Sequence, residues 1–87
     1  MRRDKLKVII GILEICKGYG TNKTKVVYQS NINFKTAGMY LDMLINEELV
    51  EVINPGAREK YRTTEKGMEI LRNIKQVYDR MEQYSLE

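Results

Sequence analysis

Between positions 4 and 17 the apolar side chains recur at helical spacing. Leu6, Ile9, Ile10, Leu13 and Cys16 share one face, and Val8, Ile12 and Ile15 form a second stripe beside it. Only Lys7, Gly11 and Glu14 are left as a polar ridge. Such a helix needs cover on two sides: the core of its own domain on one and, in a chain this short, a second subunit on the other. Gly18-Tyr19-Gly20 then ends it, because a helix stop usually requires the positive φ that glycine adopts without strain.

The next two segments also read as helices. Thr21 or Asn22 can cap one running to about Ser30, with Val26 and Val27 facing inward and Tyr28 partly so. Ser30-Asn31-Ile32-Asn33 is a turn with Ile32 as an apolar anchor. Asn33 caps a third helix running to about Glu48. Its buried stripe is Ala37, Leu41, Leu44 and Ile45; Lys35, Thr36, Met39 and Met43 look outward.

The period then changes from 3.6 to 2. Residues 49–53 read as a strand, Asn54-Pro55-Gly56 as a type II turn, and residues 59–63 as the returning strand. Lys60 and Arg62 fall on one face of that strand and Tyr61 on the other. Thr64 caps a last helix reaching about Tyr84, with Glu65 well placed in its first turn. Leu71, Ile74, Tyr78 and Met81 follow the spacing of a coiled-coil seam, with Ile70, Val77 and Tyr84 on its flank. The fold class is therefore mainly α with one small β-hairpin, in the order helix, helix, helix, strand, strand, helix. Residues 1–63 form one domain, and 64–87 a helix for dimerisation.

Composition narrows the chemistry. The 87 residues include no histidine and one cysteine, which removes an internal disulfide, the common zinc sites and histidine-based acid–base catalysis. No Walker-type glycine loop or nucleophile–base pair is present, so neither a cofactor, a metal nor an enzymatic activity is expected. Cys16 reads as a small core hydrophobe and points to a reducing, cytoplasmic setting. The longest near-apolar run, residues 8–13, is too short for a membrane span, and Glu14 ends it, so the N-terminal segment reads as mature protein. Asn22-Lys23-Thr24 matches a glycosylation triplet, a chance match in that setting.

The net charge of +3 hides an asymmetry. Residues 1–41 carry Arg2, Arg3, Lys5, Lys7, Lys17, Lys23, Lys25 and Lys35 against only Asp4 and Glu14; residues 42–87 carry seven basic and ten acidic groups. A basic first half with an acidic second half implies a polyanion-binding surface on one side.

The ordered elements resemble the winged helix-turn-helix family. Ile32, Ala37, Leu41 and Leu44 followed by Leu49-Val50 look like its third-helix core running into the first wing strand. Tyr61-Arg62-Thr63-Thr64-Glu65-Lys66-Gly67 is similar to its junction between wing and last helix. The long final helix narrows the likeness to small archaeal winged-helix proteins that dimerise through an antiparallel C-terminal coiled coil and bind duplex DNA, as transcriptional regulators or chromatin-associated proteins. One position departs: glycine usually precedes the Leu-Val pair, and here it is Glu48. At positive φ a glutamate costs of order 1 kcal/mol more than glycine.

The resemblance implies double-stranded DNA and a second copy of the chain as partners, with no membrane and no small-molecule ligand, in the cytoplasm on the nucleoid. It places the third helix in the major groove, with Asn33, Lys35, Thr36, Met39 and Tyr40 nearest the bases. Lys23 and Lys25 would lie along phosphates, Arg58, Lys60 and Arg62 on the adjacent groove or backbone, and Arg2 and Arg3 in a short arm. Val8, Ile12 and Ile15 with Leu71, Ile74, Tyr78 and Met81 would form the dimer interface. The alternative reading is a protein-interaction winged helix of the transcription or replication machinery. The absence of acidic residues from the reading head before Asp42 favours DNA.

Overall fold

The computed structural model describes residues 5–84. Its elements are α1 (Lys5–Ile15), α2 (Lys23–Ser30), α3 (Phe34–Asn46), β1 (Val50–Ile53), β2 (Lys60–Thr63) and α4 (Glu65–Glu82). The order is the one the hydrophobic periodicity predicts, and the three anticipated caps form. Asn22 Oδ1 accepts the Lys25 N–H at 2.8 Å, Asn33 Oδ1 that of Thr36 at 2.7 Å, and Thr64 Oγ1 that of Gly67 at 3.0 Å. Each ties down a donor that the first turn of a helix leaves without an intrahelical partner.

One core joins all the helices. Val8, Ile12, Leu13 and Cys16 of the first helical segment meet Val26 of α2, Ala37, Leu41 and Leu44 of α3, Leu49 and Val50 of β1 and its approach, and Leu71 of α4. This corrects three expectations. Val8, Ile12 and Leu71, read as partner-facing, are interior, because α1 is wedged between α2, α4 and the hairpin and the chain covers most of both its apolar stripes. Ile15 is half-buried against the same core. Leu6, expected in the core, is exposed at the start of α1, and Tyr28 points into solvent with 86% of its surface accessible.

Between α3 and β1 the chain makes a Schellman turn. The Leu49 N–H donates to the Leu44 carbonyl at 2.8 Å and the Glu48 N–H to the Ile45 carbonyl at 2.9 Å, with Glu48 at φ 63°. Glu48 thus occupies the left-handed position that glycine ordinarily fills. Its carbonyl accepts the Thr64 hydroxyl at 2.7 Å, which links this turn to the cap of α4.

β1 and β2 pair antiparallel in the register Val50–Thr63, Glu51–Arg62, Val52–Tyr61, Ile53–Lys60. The type II turn forms, with the Ala57 N–H on the Asn54 carbonyl at 3.1 Å and Gly56 at φ 84°. Asn54 and Arg58 also take positive φ, so the tip is longer than expected and pairing begins at Lys60 instead of Glu59. A third segment joins the sheet: Thr21 exchanges both backbone hydrogen bonds with Tyr61, at 3.0 and 2.7 Å. Gly20 lets it approach, since a Cβ there would sit 2.9 Å from the Tyr61 carbonyl oxygen. Buried Thr63 anchors β2 to the end of α1, its hydroxyl on the Leu13 carbonyl at 2.7 Å and its N–H on that of Cys16 at 3.0 Å.

α4 has 18 residues, about 27 Å, and only its first half is packed into the core. Lys75 bridges to Glu14 of α1 at 2.6 Å; that hydrogen bond holds the Glu14 carboxyl below its usual pKa and raises the lysine's. Beyond this, Ile74, Val77, Tyr78 and Met81 line an apolar groove of about 420 Å³ together with Leu6 and Asn73.

Candidate nucleic-acid interface

α3 turns Ala37, Leu41 and Leu44 inward, so its opposite side carries Lys35, Met39, Asp42, Met43 and Asn46. Lys35 and Met39 stand one turn apart on this outer side, and Met39 is 63% exposed. The helix starts from a turn in which Asn31, at φ 58°, donates its N–H to the Val27 carbonyl, while Ile32 packs against the core. Asparagine tolerates that left-handed conformation, which lets α2 and α3 meet across so short a connection.

The expected reading residues do not all stand equally. Asn33 uses its side-chain oxygen on the Thr36 N–H, leaving only its amide NH₂ for an outside partner. Thr36 is half-buried. Tyr40 is half-buried: it packs against the core and also lines a shallow depression with Lys5, Met39 and Met43. Asn33, Lys35 and Met39 are the exposed members of the set.

Lys23 has a seat that the sequence did not reveal. Its ammonium lies 3.9 Å from the centroid of the Phe34 ring, a cation–π contact. A Cβ on Gly38 would come within 2.9 Å of the same Nζ, so the missing side chain at 38 leaves room for the ammonium. Phe34 and Gly38 thereby hold a positive charge against the first turns of α3. The i, i+4 spacing puts Phe34 and Gly38 on one face of α3, but nothing in the spacing joins Lys23 to them; that meeting requires α2 packed on α3. Lys25 is exposed in the first turn of α2.

In the hairpin, Glu59 orders the tip, accepting the Gly56 N–H at 3.1 Å and the Tyr61 hydroxyl at 3.3 Å. Burial, and then the charge of Glu59, pushes the Tyr61 phenol above its ordinary pKa. Arg62 differs from its neighbours. Its guanidinium reaches Glu51, directly opposite in the ladder, with both Nε and Nη2 at 2.8 Å from Oε2. Arg58 and Lys60 are exposed and form no ion pair among the described residues. Arg2 and Arg3 lie outside the described residues.

A capped outward helix, a second helix set against it and an antiparallel hairpin with a basic tip agree with what known proteins show. The family model described as winged helix-turn-helix matches residues 2–82. The chain belongs to the winged helix-turn-helix family. Among solved structures, this winged helix-turn-helix chain is similar to Sso10a-2, a DNA-binding protein from Sulfolobus solfataricus, with a TM-score of 0.80 and 28% identity over 95% of this chain and 87% of that one. AF1382 from Archaeoglobus fulgidus shares the fold, with a TM-score of 0.72, 21% identity and 91% of each chain covered. Two proteins of Methanocaldococcus jannaschii are similar in sequence. MJ0290 is 31% identical over 90% of this chain, and MJ0287 26% identical over 92%. The chain spans 35% of the length of the first and 78% of the second. Among the described residues no helix is long and apolar enough to cross a membrane.

Proposed function

We propose that the chain is a homodimeric double-stranded DNA-binding protein that acts as a transcriptional regulator or a chromatin-associated architectural protein. In this reading α3 enters the major groove, Lys23 and Lys25 meet phosphates, and the hairpin wing lies on the adjacent groove or backbone through Arg58 and Lys60. The observation that carries it is the basic rim of α3. Lys35 projects from its outer side and Lys23 is pinned beside its start, and the first carboxylate on that helix is Asp42. The similarity to a DNA-binding protein, Sso10a-2, supports the same reading.

The dimer rests on the groove between α1 and α4. Leu6, Ile74, Val77, Tyr78 and Met81 form a continuous apolar lining along the outer half of a helix that its own chain leaves uncovered. A second copy of α4 laid against it would bury these side chains; contiguous apolar surface of this kind marks interaction sites in soluble proteins.

Fluorescence titration of labelled duplex against salt tests the reading. Two copies of the basic set neutralise on the order of 6–10 phosphates, so log K should fall against log[salt] with a slope of about −5 to −9. A slope near zero, or no binding at low salt, favours the protein-interaction alternative. Lys35→Ala then separates the two roles: a loss of roughly 1–3 kcal/mol on a preferred site alone marks a base contact and a regulator, and an equal loss on random duplex marks a phosphate contact and an architectural protein.

A further inference from the structure

The outer side of α3 carries two exposed methionines among the polar side chains of Lys35, Asp42 and Asn46. Met39 is 63% exposed and Met43, one turn later on the same side, 38%. Together with Tyr40 and the Lys5 side chain they line a shallow depression of about 330 Å³. Lys35 stands one turn before Met39, and Lys23 is fixed at the helix start. An apolar pair that follows two lysines along the helix and has Lys5 beside it fits a polyanion whose charged rims enclose an apolar floor. The major groove of DNA has that character wherever a pyrimidine carries a 5-methyl group, since the methyl is the one apolar mark on a floor of hydrogen-bonding edges.

We infer that Met39, assisted by Met43, recognises the 5-methyl group of pyrimidines in the major groove. This rests on the proposed entry of α3 into that groove and adds what is read there. A thioether suits the task. It offers no hydrogen bond that a wrong base would leave unsatisfied, and its unbranched chain adapts to a methyl at slightly different depths. The two methionines lie about 6 Å apart along the helix, close to two base-pair steps of about 3.4 Å each. They therefore cover methyl groups two base pairs apart, and runs of thymine suit them better than isolated ones. Lys23 holds the register through phosphates, and the discrimination of methyl groups falls to the methionines.

The test uses three duplexes of one sequence at one salt concentration: a thymine duplex, the same with every thymine replaced by uracil, and the uracil duplex with 5-methylcytosine in place of cytosine. Each methyl covered is worth about a four-fold change in Kd. Wild-type protein should therefore bind the thymine duplex at least about 4-fold more tightly than the uracil duplex. Met39→Gln, an exposed change that leaves the circular dichroism native, should bring the two within a factor of about 2, and Met39→Leu should keep the difference. Recovery on the 5-methylcytosine duplex makes the methyl itself the recognised group; no recovery overturns recognition of the methyl on pyrimidines in general. Equal binding of thymine and uracil duplexes by the wild type overturns the inference while the DNA reading stands. A preference that survives in Met39→Gln comes from duplex shape and overturns the role of Met39. No binding to any duplex removes the DNA reading and this inference together.

Discussion

Gly67, in the first turn of α4, lies directly against the Leu49 carbonyl, so close that a Cβ on Gly67 would overlap that oxygen and crowd the Thr63 methyl. Helix and hairpin meet there with backbone against backbone. Alanine is the better helix former by about 1 kcal/mol, yet here the overlap outweighs propensity. Gly67→Ala is expected to lose about 1–3 kcal/mol, read as a lower midpoint in urea denaturation. An unchanged midpoint would show that the helix can move away from the hairpin.

The reverse applies at Glu48, where an ordinary residue occupies the left-handed position of the Schellman turn. Glu48→Gly should stabilise the fold by up to about 1 kcal/mol. The contact given up is an exposed ion pair with Lys66 at 4.0 Å, which is worth little in water. Thermal unfolding of the two proteins side by side checks the sign.

Leu71 and Ile74 look equivalent in a heptad, but Leu71 is buried in the chain's own core and Ile74 lines the α1–α4 groove. Leu71→Ala opens a cavity in the chain's own core and should cost about 2–5 kcal/mol with no change in sedimentation of the folded fraction. Ile74→Asp would place an unpaired charge in the α1–α4 groove. It should shift a sedimenting dimer to about 10 kDa while the monomer stays helical. A wild-type protein that sediments as a monomer at tens of micromolar would remove the proposed dimer.

The wing charges divide in the same way. Arg58→Ala with Lys60→Ala should weaken binding to every duplex about equally and flatten the salt slope by up to about 2 per monomer. Arg62→Ala alone exposes the carboxylate of Glu51 to the phosphates and so weakens binding through repulsion. Glu51→Gln releases the guanidinium and should tighten binding at low salt. If Glu51→Gln leaves affinity and slope unchanged, Arg62 does not face the duplex.

Burial pushes the Cys16 thiol up to about 11 from an ordinary value near 9. The folded chain then keeps a proton that the unfolded chain releases, so this residue's contribution to stability is intact below pH 9 and is lost as pH rises toward 11. Unfolding at pH 8 and pH 10 should show a larger drop for wild type than for Cys16→Ala. Alkylation at pH 8 should proceed no faster than opening of the core.

What could be read from the sequence divides along a physical line. Caps at Asn22, Asn33 and Thr64, the Pro55-Gly56 turn and the inner stripe of α3 depend on residues within a few positions of one another, and local rules decide them. What covers each face of α1 does not: Val8 and Ile12 are apolar whether a second subunit or the chain's own α2 and α4 cover them. The pairing of Arg62 with Glu51 needs the strand register, and the seat of Lys23 needs the packing of α2 on α3. For the same reason the heptad at Leu71 and Ile74 shows a seam without showing where the core ends and a partner begins.

Thr21 is one residue long as a strand, yet it clamps the entry to α2 onto the middle of β2 through two backbone hydrogen bonds. The lysines of α2 and the cationic tip of the hairpin are therefore jaws of one caliper with a set opening. Neither jaw can slide to suit a duplex of different groove width without breaking the Thr21–Tyr61 pair. On the proposed DNA surface the adjustment falls to the duplex, and pliable sequences would be gripped at less elastic cost than stiff ones.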